Sequence, residues 1–237
     1  MGTSAARRAP QKGVFWRKAK AAAAHFAAEG TPSRFSVAEV VGRYVLALAP
    51  LDWSGMVPSG ALPEVARLAA ALGRFYETWE TQGIQAALEY YGVPNQAGQS
   101  WATLLPALLE TLAGPGASLA EAVARTALLD HFTAMGFLAD LTAPVTAGLP
   151  PLPASDGVWH FLALALYRHA IADLGETLEF YAPTLAAGRQ RLEAIKAHIL
   201  AQLNLLIPLS GEGESWESQT ETWLQSFLML LGNYHVP

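Results

Sequence analysis

Apolar residues recur along this chain at three- and four-residue intervals and nowhere alternate with period two over a useful length. Helices, not strands, are therefore the expected elements. The first helix is predicted over Val14–Glu29, with Phe15, Ala19, Ala22, Ala23 and Phe26 as its stripe and Gly30 as its stop. Ser36-Val37-Ala38-Glu39 has the form of a capping box, in which the serine oxygen and the glutamate each satisfy a free N–H. The helix it opens shows Val37, Val40, Val41, Tyr44, Val45 and Leu48 on one face and is closed by Pro50, before a Gly/Pro loop over 51–61 around Trp53. Pro63 suits a first helical turn. From there Val65, Leu68, Ala69, Leu72, Phe75, Tyr76 and Trp79 form a strong stripe.

A short helix follows from Ile84 to Tyr91, stopped by Gly92 and Pro94. Another is expected over 100–113, with Pro106 either kinking it or marking an early turn. After the break Gly114-Pro115-Gly116, a second capping box at Ser118–Glu121 opens a helix to about Met135. The loop 142–157 is the longest and the best candidate for a subdomain boundary. Helices are then expected over 157–181, over 183–207 up to Pro208, and over 216–231 with Trp216, Trp223, Phe227 and Leu230 aligned. No repeat of fixed period is visible. The fold class is all-α, an irregular multi-helix bundle of about eight to ten helices. It comprises an extended, flexible basic N-terminal tail over 1–13 and one helical domain over 14–237.

Composition sharpens this. Of 237 residues, 52% are hydrophobic and only 15% charged, against roughly 25% charged in an average soluble domain, which excludes global disorder. The absence of cysteine excludes a disulfide scaffold, a thiolate zinc site and a cysteine nucleophile. No uninterrupted apolar run approaches the roughly 18 residues of a membrane span. The net charge of −5 is unevenly placed. Arg7, Arg8, Lys12, Arg17, Lys18 and Lys20 precede the first acid, Glu29, and leave a net of −11 on the other 217 residues. A cationic front on an acidic body suits an anionic partner or a solubilising terminus. Cations in the first turns of a helix oppose its dipole, so their placement asks for another reason.

The chemistry-bearing motifs are few. The six histidines, His25, His131, His160, His169, His198 and His235, include no pair at i,i+3 or i,i+4, and a histidine metal site would need long-range convergence. Asp130 and His131 are adjacent and point to different sides of a helix. There is no phosphate loop and no nucleophile elbow, and Gly211-Glu212-Gly213 reads as a connector. Glu176 and Glu179, one helical turn apart, read as a solvated face or an acid/base pair. Arg168-His169 read as an anion site or as a core histidine with its neighbour. Trp79, Tyr90, Tyr91 and Trp101 read as core packing or as an aromatic wall. No cofactor and no metal are expected.

The first four residues, Met1-Gly2-Thr3-Ser4, are the most suggestive. Loss of Met1 would leave Gly2 with a free α-amine, whose pKa near 8 gives an appreciable neutral fraction at physiological pH. Ala6 stands where N-myristoylation prefers Ser or Thr. Arg7-Arg8 lacks the apolar segment of an export signal, and the acid-free first 28 residues also loosely fit a mitochondrial transit peptide. The expected place is the cytoplasm.

The opening Met1-Gly2-Thr3-Ser4, a short basic proline-containing stretch and a helix carrying Trp16 together resemble the B component of the Qat bacterial anti-phage system. The resemblance implies a non-enzymatic component of a four-part set, with an ATPase, an enzyme similar to the 7-cyano-7-deazaguanine synthase (QueC-like) family and a TatD-like nuclease. It implies Gly2 as the site of covalent modification by the synthase-like partner. Thr3, Ser4, Arg7, Arg8, Lys12, Trp16 and Arg17 would be the residues that partner meets. Two other readings stay open: an adaptor that binds nucleic acid or recruits a nuclease through its basic tail, and an enzyme using Glu176, Glu179 or His169.

Overall fold

Both capping boxes form. Ser36 Oγ accepts the Glu39 amide at 3.2 Å while the Ser36 amide donates to the Glu39 carboxylate at 2.8 Å. Ser118 and Glu121 repeat this at 3.1 and 3.3 Å. In the computed structural model, which describes residues 13–29, 34–49, 62–93, 99–138, 142, 152–203 and 214–233, the described residues form nine α-helices. They are α1 (Val14–Glu29), α2 (Val37–Leu48), α3 (Pro63–Gln82), α4 (Ile84–Tyr90), α5 (Trp101–Ala113), α6 (Leu119–Ala134), α7 (Ala154–Tyr181), α8 (Leu185–Leu203) and α9 (Trp216–Asn233). The all-α expectation holds.

Pro63 acts as the sequence implied, whereas the stops expected at Gly30, Pro50, Pro94 and Pro208 lie outside the described residues. Pro63 is at the start of α3, and Gly83, at φ 91°, lets the chain end α3 and begin α4 at once. Pro106 stays inside α5. It lies on the exposed side, where the freed carbonyl of Ala102 can meet water. The main difference is at α7, which starts at Ala154 and not at 157. Gly157 serves close packing there and not a break: a Cβ on it would come within 2.5 Å of the Tyr76 ring. Of the proposed boundary loop, residues 143–151 lie outside the described residues.

The chain divides into two compact units, each assembled from separated stretches. The first takes residues 1–61, 166–207 and 223–237. There α1 packs on α2, and α8 packs on both. Trp16 meets Tyr44 edge-on at 5.9 Å, and the Tyr44 hydroxyl donates to Asp173 at 3.0 Å. Gly232 on α9 lies against Val45 and Leu46 of α2.

The second unit takes residues 62–165 and 208–222. Here α3 is the central element, packed by α4, α5 and α6. Its core is aromatic: Phe75, Tyr76 and Trp79 of α3 are buried, and Phe137 bridges Trp79 and Trp101 at centroid distances of 5.5 and 4.7 Å. The first turn of α9 is fixed on α3 by Trp216 Nε1, which donates to Glu77 at 2.7 Å, and by an ion pair between Arg74 and Glu217. The bond from Arg74 holds the Glu217 carboxyl below its ordinary range. Gly73 lies directly under the Trp216 ring.

Candidate functional site

Two places carry chemistry, one in each unit. In the first unit it is the outward face of α1. The helix begins with the Gly13 carbonyl accepting the Arg17 amide at 3.1 Å. Its inward face holds Trp16, Ala19, Ala22, Ala23, Phe26 and Ala27. Arg17, Lys18 and Lys20 are exposed, as are Val14 and Phe15, at 53% and 47%, so Phe15 leaves the apolar stripe expected of it and Trp16 takes the inward place. The first turn contains no acid. Among the described residues no ion pair involves these three cations. Glu29, at the far end, is already engaged by His25 at 3.0 Å and by the Arg34 amide.

Of the residues marked by sequence, Gly2, Thr3, Ser4, Arg7, Arg8 and Lys12 lie outside the described residues. Trp16 is 8% exposed and held by Tyr44. Its part is to anchor α1. What this helix offers outward is Arg17 with Lys18, Lys20 and two apolar neighbours.

In the second unit a polar line crosses the aromatic core. The Tyr76 hydroxyl lies 2.7 Å from His131 Nε2, and His131 Nδ1 lies 2.9 Å from His160 Nδ1. These groups come from α3, α6 and α7. Burial, with a smaller contribution from the nearby His160, lowers the His131 pKa to about 3, so this ring is neutral at physiological pH. Burial also raises the Tyr76 pKa, which keeps its hydroxyl protonated. A neutral His131 donates from one ring nitrogen and accepts at the other, so it bonds both the Tyr76 hydroxyl and His160 in either tautomer. His131 is fully enclosed. The line acts as a polar pin between three helices, with both ring nitrogens of the buried His131 bonded.

No local pattern announced this pin, because His131 and His160 are 29 residues apart. It is the long-range convergence that spacing cannot display. It remains a pair: among the described residues no group of three or more His, Asp or Glu could hold a metal ion. Glu176 and Glu179 are exposed on α7, and His169 is buried at 2%. The aromatic group divides, with Trp79 and Trp101 buried and Tyr90 64% exposed. The Tyr91 hydroxyl donates to the Ala71 carbonyl at 2.6 Å. No helix among the described residues is long and apolar enough to cross a membrane.

No curated protein and no solved structure matches the chain. A sequence model of the family described as Qat anti-phage system associated protein QatB matches residues 60–220. That stretch holds all of α3 to α8 and the start of α9, and so the aromatic core, the polar pin and the Trp216 attachment. With well over half its length matched, the chain belongs to the QatB family, and is thereby a component of the Qat anti-phage defence system.

Proposed function

We propose that this component works without catalysing a reaction itself: it docks on a 7-cyano-7-deazaguanine-synthase-like enzyme of its system and presents the Gly2 amine for covalent modification. The observation that carries this reading is the acid-free opening of 28 residues, which ends in a helix whose cations all face outward. An enzyme of that class joins a carboxylate to the α-phosphate of ATP and releases pyrophosphate. The neutral Gly2 amine then attacks the activated carbonyl carbon. An amide bond forms, AMP leaves, and the amine loses its proton to solvent or a base. Glycine suits a narrow site because it has no side chain. Thr3 and Ser4 follow it in, while Arg7, Arg8 and Lys12 meet an acidic entrance or the nucleotide phosphates.

The helical body is the handle in this account, and an ATPase and a TatD-like nuclease complete the set. Intact-mass spectrometry after co-expression with the synthase-like enzyme tests it. A mass increase localised to Gly2 is expected, and an unmodified N-terminus contradicts it. The same exposed cations also support a second reading, a nucleic-acid-binding or nuclease-recruiting adaptor. Its binding would weaken steeply with salt and vanish on removal of residues 1–20 in a gel shift.

A further inference from the structure

The first two turns of α1 combine three features. Arg17, Lys18 and Lys20 are exposed and free of ion pairs among the described residues. Val14 and Phe15, beside them, are about half exposed. Beyond them Ala21 is exposed and Ala24 half-buried, and the exposed polar side chains of the last turns, His25 and Glu29, are bonded to each other. Positive charge in these turns works against the helix dipole, so the helix itself gains nothing from it.

We propose that this face is a docking surface for an acidic protein surface with an apolar recess, the carboxylates meeting Arg17, Lys18 and Lys20 and the recess receiving Phe15 and Val14. The inference rests on the proposed function and deepens it, since the acidic surface belongs to the rim around the enzyme entrance that admits the tail. Charge complementarity selects this occupant. A lipid surface needs a continuous apolar stripe, and that of α1 is consumed by Trp16, Ala19, Ala22, Ala23, Phe26 and Ala27 inside the first unit. A nucleic acid needs a track of phosphate contacts. Arg17, Lys18 and Lys20 fan over the exposed side of one short helix and form no extended track, and the net acidic charge of the rest of the chain disfavours broad phosphate contact. A carboxylate rim needs only such a face, and Phe15 gives it an apolar anchor.

The docked face also explains how a tail of a dozen residues is aimed. Seating α1 on the rim places Gly13, where the helix begins, at the entrance, so the search of the tail for the active site becomes intramolecular.

The test measures binding of the full chain to the purified synthase-like enzyme by calorimetry, at low and high salt, beside Gly2 modification by mass. The variants are Arg17→Glu/Lys18→Glu/Lys20→Glu, the charge-keeping Arg17→Lys/Lys18→Arg/Lys20→Arg, and Phe15→Ser. The charge reversal is expected to weaken binding by about tenfold or more and to abolish its salt dependence. The charge-keeping variant should bind as the parent does, and Phe15→Ser should weaken binding without changing the salt dependence. Unchanged circular dichroism verifies the fold, as expected for exposed positions. A parent chain that is bound and modified, with a charge reversal bound equally well, overturns this inference alone. A parent chain that is neither bound nor modified overturns the proposed function and this inference with it. Reversal that leaves enzyme binding intact but abolishes binding to single-stranded DNA reassigns the face to nucleic acid and overturns the proposal.

Discussion

The first and third helices solve the same packing problem with opposite materials. α1 turns Ala19, Ala22, Ala23 and Ala27 inward between Trp16 and Phe26, and its neighbours come close to a nearly smooth face. α3 turns Leu68, Leu72, Phe75, Tyr76 and Trp79 inward, and its neighbours are large and interlocked. A buried alanine adds roughly one methyl group, about 0.8 kcal/mol, where a buried phenylalanine adds about 1.5–3 kcal/mol. The outward faces differ too. Arg74 and Glu77 of α3 are engaged by Glu217 and Trp216, while the cations of α1 have no ion-pair partner among the described residues. The family match includes α3 and leaves out α1. The aromatic core lies inside the family match, and the alanine-faced helix outside it carries the proposed docking face.

The contrast can be broken first where it is strongest. Phe132→Ala removes a ring with no exposure from the aromatic unit and is expected to cost about 3–5 kcal/mol in denaturant unfolding followed by circular dichroism. A loss under 1 kcal/mol would mean the unit is loosely packed.

Next comes acid. The folded pKa of His131, about 3, lies below its unfolded value near 6.5. The unfolded chain therefore binds a proton the folded one refuses as pH falls through 6.5, and stability declines from there down toward pH 3. The slope approaches about 1.4 kcal/mol per pH unit. Melting temperature should fall over that window, and His131→Gln should flatten its pH dependence. Tyr76→Phe leaves His131 Nε2 without its hydroxyl partner and should cost about 1–3 kcal/mol at pH 7.

In the first unit the direction of the change reverses. Ala23→Leu puts bulk where α1 is closely packed and should cost about 1–3 kcal/mol by overpacking. The smallest effect has the opposite sign. Lys18→Glu relieves the helix dipole and should stabilise the chain by roughly 0.3 kcal/mol at low salt, while weakening partner binding. A substitution that improves the fold and impairs the interaction would separate the two roles of this helix.

Much of the fold was legible because helix boundaries are local. Ser36 and Glu39, Ser118 and Glu121, Pro63 and Gly114 each act within a few residues, and the helices start and stop beside them. Gly157 misled for the same reason: locally a glycine among prolines reads as loop, and only Tyr76, 81 positions earlier, reveals that it makes room for a ring. The His131–His160 contact and the seating of Trp216 over Gly73 are likewise tertiary. The candidate site divides in the same way. The charge of α1 is readable from Arg17, Lys18 and Lys20, whereas the inward turn of Trp16 depends on Tyr44 from the next helix.

The most direct measurement is phage protection in cells carrying the complete system, with the chain either whole or lacking residues 2–12. The account predicts that the shortened chain accumulates with full helical content and gives no protection. Undiminished protection by the shortened chain would contradict it.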